Sequence, residues 1–365
     1  MINFPLTKIK IQNLSKYYKI VSLPLIMIEQ SILEITSDLS RANKIVIVPH
    51  KGPDGDAIGS CLALYHFLKE KGHSVQVIAP NDFPQFLKWL PGSEDILIYE
   101  NKVEQCNKLI EEAEIVFTLD FNMLNRAGDM VDVLTASNAS FIMIDHHPEP
   151  SDYANHTYSD STMSSTCQMV YKFIHKLHGL KLITPEIATC LYTGIMTDTG
   201  SFKYRSTSSE THRVIADLID KGADNAKIQH LIYDTFSENR MRLLGVALQN
   251  LKVIKELKTA YITLSQEELD KNNFRKGDTE GFVNYGLSLE GIVFAAIFIE
   301  HKAEGIIKIS FRSKGTYSVN DFARAHFNGG GHLNAAGGKS ELSLENTEIK
   351  FNSIINEYRD QLVNL

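Results

Sequence analysis

Cysteine is scarce: Cys61, Cys106, Cys167 and Cys190 are the only four in 365 residues. They are scattered, with no metal-type spacing, so the sequence offers no disulfide framework and no thiolate metal site, and a reducing cytoplasm is the expected location. A basic excess is also missing. The formal net charge is −7, which argues against a long, non-specific nucleic-acid groove. It does not argue against a small anionic ligand, because bound metal ions supply positive charge locally. The apolar run Ile20 to Ile28 is too short to span a bilayer and is broken by Pro24. No small-residue cleavage site follows it, so residues 1–27 are expected to be a disordered extension rather than a signal peptide. Internal repeats and low-complexity tracts are absent.

What remains is the composition of a soluble globular protein, with 43% hydrophobic and 22% charged residues. The length suffices for two domains with proper cores. Strand and helix patterns alternate from about Ile28 to Asp198. A helix (Ile28 to Ala42) precedes the strand Lys44 to Val48, whose KIVIV run reads as buried on both faces. A helix over Ala57 to Lys71 and a strand over Ser74 to Ala79 follow. Further strands cover Glu114 to Leu119 and Ser140 to Ile144, and further helices Thr166 to Leu177 and Pro185 to Thr197. This alternation predicts an α/β fold with a parallel, doubly wound sheet over residues 28–207. Residues 208–250 read as a helical linker. Residues 251–365 read as a smaller mixed α/β domain, with strands at Ala260 to Leu264, Ile292 to Ile299 and Ile306 to Phe311 and a glycine cluster over 328–338.

Acids and histidines gather where the strands end. Val48 runs into "PHKGPDGD", with His50, Asp54 and Asp56. Leu119 runs into Asp120, and Ile144 into Asp145-His146-His147. Asp198 follows a helix. Carboxyl ends of neighbouring parallel strands lie side by side, which is where open α/β sheets hold ligands. Any one of these residues alone reads as a cap or a turn. Together they form a cluster of like charges that only cations reconcile. Oxygen and imidazole donors without thiolate suit Mn²⁺, Mg²⁺ or a similar ion. Two ions a few Å apart need a bridging carboxylate, for which Asp120 is the candidate.

"HKGPDGDAIGS", "TLDFN", "IDHHP" and "TGIMTDTGSFKY" resemble, in order, the four motifs of the DHH phosphoesterase superfamily. "ISFRSKG" and "FNGGGHLNAAGG" resemble the DHH-associated domain that follows in one subfamily. Length and order look like the nanoRNase/pAp phosphatase group, bifunctional oligoribonucleases, over roughly residues 28 to 345. The resemblance implies a two-metal site, usually Mn²⁺. His50, Asp54 and Asp120 would hold one ion, and Asp56, Asp120, His146 and Asp198 the other. Asp145 would stand behind them, orienting a histidine or the loop. His147 would lie near the scissile phosphate.

In the second domain, consecutive glycines (Gly329, Gly330, Gly331) let backbone amides approach an anion. His332 adds a donor, and Arg312 with Ser313 would clamp a phosphate or ribose. Asn328 stands where the family often has a fourth glycine; it tolerates positive φ better than most residues. Lys203, Arg205 and Arg126 are further candidates for holding phosphate or reaching the metal cleft. The expected substrates are short RNA, dinucleotides or 3′-phosphoadenosine 5′-phosphate (pAp), with no long nucleic acid and no membrane; a homodimer stays open. A family II inorganic pyrophosphatase would carry a serine-arginine-lysine motif that is not found. A RecJ-type exonuclease would need a further nucleic-acid module. A cyclic- or linear-dinucleotide phosphodiesterase is the nearest alternative. A non-catalytic nucleotide sensor is the alternative of another class, but it is expected to lose metal ligands, and here each one is present.

Overall fold

A computed structural model describes residues 32–41 and 43–364. The extension 1–27 and the start of the helix expected from Ile28 lie outside the described residues; helix α1 covers residues 32–38. The described residues divide into two compact units. One runs through Asp82 and resumes over Leu90–Asn225. The other comprises Phe83–Trp89 and the chain from Ala226 onward.

In the first unit the buried run KIVIVP forms β1 (Lys44–Pro49), followed by α2 (Gly55–Glu70) and β2 (Ser74–Ala79). Then come β3 (Leu97–Ile98), α3 (Val103–Glu111), β4 (Ile115–Leu119), α4 (Val131–Ala136), β5 (Ser140–Asp145) and β6 (His156–Ser159). Helices α5 (Thr166–Lys176), α6 (Pro185–Asp198) and α7 (Ser209–Asp220) complete it. Among the described residues the six strands are all parallel, in the order β3-β2-β1-β4-β5-β6. Val46, Val48 and Val116 face α3 and α4 through Cys106, Ile110 and Leu134. Phe117 points to the other face, where its ring meets Phe173 of α5 edge to face. Helices thus cover both faces, as the doubly wound reading expects.

Two short strands are not evident in the sequence pattern. β3 has two residues, and β6 (HTYS) is a half-buried edge strand with little apolar content. Helix α2 starts two residues before the expected Ala57 because Asp54 caps it, accepting from the amides of Asp56 at 3.0 Å and Ala57 at 3.1 Å. Helix α2 and α6 approach closely through Gly59, where an added Cβ would lie 2.6 Å from the Cys190 carbonyl oxygen.

The second unit opens with α8 (Asn225–Tyr233) and α9 (Glu238–Gln249), so the stretch expected as one linker holds three helices, α7 to α9, with the unit boundary inside it. A mixed sheet follows, built from β7 (Lys252–Ile254), β8 (Thr259–Leu264), β9 (Phe294–His301) and β10 (Ile306–Ser313). Helices α10 (Gln266–Lys271), α11 (Val283–Leu287), α12 (Val319–His326) and α13 (Leu344–Ile355) punctuate it. The glycine cluster forms a hairpin: β11 (Gly330–His332) pairs antiparallel with β12 (Ala335–Ser340), which extends the sheet from β10. Pairing with a pre-built neighbour outweighs the poor strand propensity of glycine. Asn328 holds φ +46° at the entry to the hairpin, the conformation glycine would otherwise supply. The core beneath is aromatic, with Phe294, Phe298, Phe311, Phe322 and Phe351 all buried.

Two glycines give opposite expectations. Gly59→Ala forces α2 from α6 and lowers stability by about 1–3 kcal/mol. Gly245 lies in α9 with open space where a Cβ would go, so Gly245→Ala raises stability by about 0.5–1 kcal/mol. Urea titration of the two variants checks both signs.

Candidate metal centre

Strand register brings three of the sequence clusters level. Pro49 of β1 lies opposite Leu119 of β4, and Leu119 opposite Ile144 of β5. His50, Asp120 and Asp145 therefore leave the sheet side by side. They do so where strand order reverses between β1 and β4, the place at which such sheets bind ligands. Asp120 makes its exit with φ +67°, an uncommon conformation for a residue with a Cβ.

Two groups of side chains form around Asp120. In one, His50 Nε2 lies 3.5 Å from Asp120 Oδ2 and 4.0 Å from Asp54 Oδ2. In the other, His146 Nε2 lies 3.6 Å from Asp120 Oδ1 and 3.7 Å from both Asp56 Oδ2 and Asp198 Oδ2. The donor atoms of His50, Asp54 and Asp120 lie within 4.8 Å of one another, and so do those of Asp56, His146 and Asp198. These distances are too long for hydrogen bonds and short enough to share an ion.

The second nitrogen of each imidazole fixes its tautomer. His50 Nδ1 lies 3.1 Å from the Lys51 carbonyl and His146 Nδ1 3.3 Å from the Met163 carbonyl. A carbonyl only accepts, so Nδ1 carries a hydrogen and Nε2 is the nitrogen turned to the cluster, where its lone pair would be free for a cation once any proton there is displaced. Asp54 divides its carboxylate: Oδ1 caps α2 and Oδ2 faces His50. Asp198 is the last residue of α6 and reaches the cluster from the helix end. Asp145, fully buried, accepts from His147 Nδ1 at 2.7 Å and from the His147 amide at 3.1 Å. It therefore clamps His147 with Nε2 turned away.

Sequence reasoning missed the N-terminus of α5. Asp56 accepts from the amides of Thr166 at 2.6 Å and Cys167 at 2.8 Å, and Asp120 Oδ1 accepts from the Thr166 hydroxyl at 2.9 Å. Ser164-Ser165-Thr166 before an apolar run signals a helix start, but nothing local says what that start points at.

Charge is badly balanced here. Burial pushes Asp120 well above the usual carboxylate range, and Asp56 and Asp54 push it further. Burial raises Asp56 as well, against the pull of His146 and the α5 amides. Burial alone would lower His146, yet Asp198, Asp120 and Asp56 together outweigh it and hold it up at about 9. Burial lowers His50 and His147, and the Arg126 charge lowers both further. Among the described residues, the ion pairs of Asp56 and Asp120 are with imidazoles alone. The donor set fits divalent cations of the Mn²⁺ or Mg²⁺ type. Lys203 and Arg205 sit exposed after α6, and the structure does not draw them into the cluster.

The candidates of the second unit are placed within that unit. Arg312 donates through Nη1 to the Phe311 carbonyl at 3.0 Å, while its buried Nε has no partner among the described residues. Ser313 is buried and engaged: it donates to the Tyr317 carbonyl at 2.7 Å and accepts from Asn334 at 2.8 Å. Two glycine amides are likewise committed, Gly329 to the Ala323 carbonyl at 3.2 Å and Gly331 to Asn320 Oδ1 at 2.9 Å. Those two amides close the hairpin on its own unit. Gly330 and His332 lie half-buried in β11.

Residues 44–195 match the DHH family N-terminal domain, and residues 256–364 match the DHHA1 domain. The chain is 34% identical over 293 residues to the bifunctional oligoribonuclease and PAP phosphatase NrnA of Thermus thermophilus, covering 80% of this chain and 83% of that one. It is 29% identical over 317 residues to the probable bifunctional oligoribonuclease and PAP phosphatase NrnA of Streptococcus mutans, covering 86% and 95%. The crystal structure of an exopolyphosphatase-related protein from Bacteroides fragilis superposes with a TM-score of 0.87 at 45% identity, covering 91% of this chain and 97% of that one. With its ordered acid and histidine clusters on a doubly wound sheet, the chain belongs to the DHH family of metal-dependent phosphoesterases.

Proposed function

We propose that this chain is a two-metal phosphoesterase that cleaves short oligoribonucleotides to mononucleotides and removes the 3′-phosphate of pAp. The observation that carries the reading is the divided carboxylate of Asp120, with Oδ2 on the His50 group and Oδ1 on the His146 group. His50, Asp54 and Asp120 would hold one divalent cation; Asp56, Asp120, His146 and Asp198 would hold the other. Such ions, with Mn²⁺ the expected pair, supply the charge that a phosphate ester needs at its oxygens and make water acidic enough to attack near neutral pH.

The remaining work falls to the chain. His147 presents Nε2 while Asp145 accepts its Nδ1 hydrogen. The Asp145 carboxylate supports the charge when Nε2 takes up a proton, so His147 is placed to pass that proton to the leaving alkoxide. The Arg126 charge disfavours the charged form of His147, which favours release of that proton. Arg312, with an unsatisfied buried Nε, is the group in the second unit best suited to a phosphate or ribose, and His332 is the second. The substrate choice is supported by the names of the relatives and by the acidic net charge, which disfavours long strands.

Initial rates with Mn²⁺ on pAp, linear diadenylate, a 24-mer RNA and cyclic di-AMP test the assignment. Fast turnover of the first two and slow turnover of the last two is expected; preferential opening of cyclic di-AMP would instead make the chain a cyclic-dinucleotide phosphodiesterase. Asp145→Asn loses the orientation of His147, so kcat on pAp falls about 10–100-fold with Mn²⁺ affinity retained.

Stability should also depend on pH in a metal-dependent way. His146 is raised from its ordinary 6.5 to about 9, so its contribution is full below 6.5 and lost as pH rises through about 9. The raised Asp120 and Asp56 act in the same direction, while the lowered His50 and His147 act below 6.5. Between pH 6.5 and 9 the Tm of EDTA-treated protein therefore falls. The Tm of Mn²⁺-loaded protein stays flat by comparison, because cations replace those protons.

A further inference from the structure

Thr166 is the first residue of α5 and has no exposed surface. Its two donors go to two different carboxylates. The amide donates to Asp56 Oδ2 at 2.6 Å and the hydroxyl to Asp120 Oδ1 at 2.9 Å. The amide bond would survive any substitution short of proline. The hydroxyl bond needs serine or threonine. We propose that Thr166 is a positioning residue that sets the rotation of the Asp120 carboxylate, so that Oδ2 stays with the His50 group and Oδ1 with the His146 group. This role rests on the two-cation reading of the site and adds the residue that enforces it.

A carboxylate turns easily about its last torsion, a broad two-fold well. Asp120 has only long contacts to the imidazoles, at 3.5, 3.6 and 3.8 Å, and these fix nothing by themselves. Among the described residues the Thr166 hydroxyl makes the one short side-chain bond to it, and the helix turn that carries that hydroxyl is itself tied down. Ser165 caps α5 by accepting from the Gln168 amide at 3.0 Å. Gln168 Oε1 in turn accepts from Ser164 at 2.5 Å and from Thr211 of α7 at 3.0 Å. The first turn of α5 is thus tied to α7, and Thr166 passes that rigidity to the shared ligand. Partners of this kind are worth about 10–100-fold in metal affinity.

Thr166→Val keeps the shape and the backbone amides and deletes only the hydroxyl; Thr166→Ser restores it. Wild type, both variants and Asp120→Asn would be titrated with Mn²⁺ by calorimetry, and two-equivalent samples examined by electron paramagnetic resonance for a spin-coupled pair. Wild type and Thr166→Ser are expected to show the coupled pair. Thr166→Val should bind one equivalent about 10–100-fold more weakly and lose most of the coupled signal, with circular dichroism of the metal-free protein unchanged. Should Thr166→Val not fold, Thr166→Ala takes its place with the same expected outcome. A coupled pair in wild type that persists at full affinity in the hydroxyl-free variant overturns the role of Thr166 and leaves the two-cation reading intact. A wild type with no coupled pair overturns that reading itself.

Discussion

Four aspartates cannot be crowded beside two imidazoles at the carboxyl ends of parallel strands unless something positive joins them. That repulsion is the constraint on which the first unit is built. Its mark is visible in the groups themselves: Asp120 and Asp56 are driven toward their neutral forms, and His146 is driven toward its charged one. Protons are poor substitutes for divalent cations here, since they neutralise single atoms while an ion serves several ligands together. The positive φ of Asp120 fits the same picture, as strain kept where function demands a particular direction.

The fold supplies this arrangement by simple means. Parallel strands in register deliver His50, Asp120 and Asp145 at one level. Helix α2 starts at once, so that Asp54 caps it and Asp56 lies in its first turn. Helix α5 turns its amides on Asp56 and its hydroxyl on Asp120. Helix α6, pressed against α2 where Gly59 leaves room for the Cys190 carbonyl, ends on Asp198. Each carboxylate is thereby carried at a strand end or a helix terminus of the first unit.

Much of this was legible in the sequence because buried parallel strands are short apolar runs, and polar residues at their ends are conspicuous. KIVIVP, IVFTL and SFIMID announce β1, β4 and β5, and His50, Asp120 and Asp145 stand directly at their ends. The features that escaped were set by tertiary pairing. HTYS has no apolar alternation and becomes β6 only because β5 offers an edge. GGH becomes β11 only because β12 is beside it. The amides of Gly329 and Gly331, read from sequence as able to approach an anion, and the hydroxyl of Ser313, read as part of a phosphate or ribose clamp, make local bonds that the sequence does not announce. Thr166 reads locally as a helix start and nothing more, because its partners are 46 and 110 positions away in the chain.

The central claim is that Asp120 joins two cations. Crystals grown with Mn²⁺ and measured at the manganese absorption edge test it most directly. Two anomalous peaks are expected, one among His50, Asp54 and Asp120 and one among Asp56, His146 and Asp198, with one Asp120 oxygen on each. A single peak, or two peaks of which Asp120 touches only one, would contradict it.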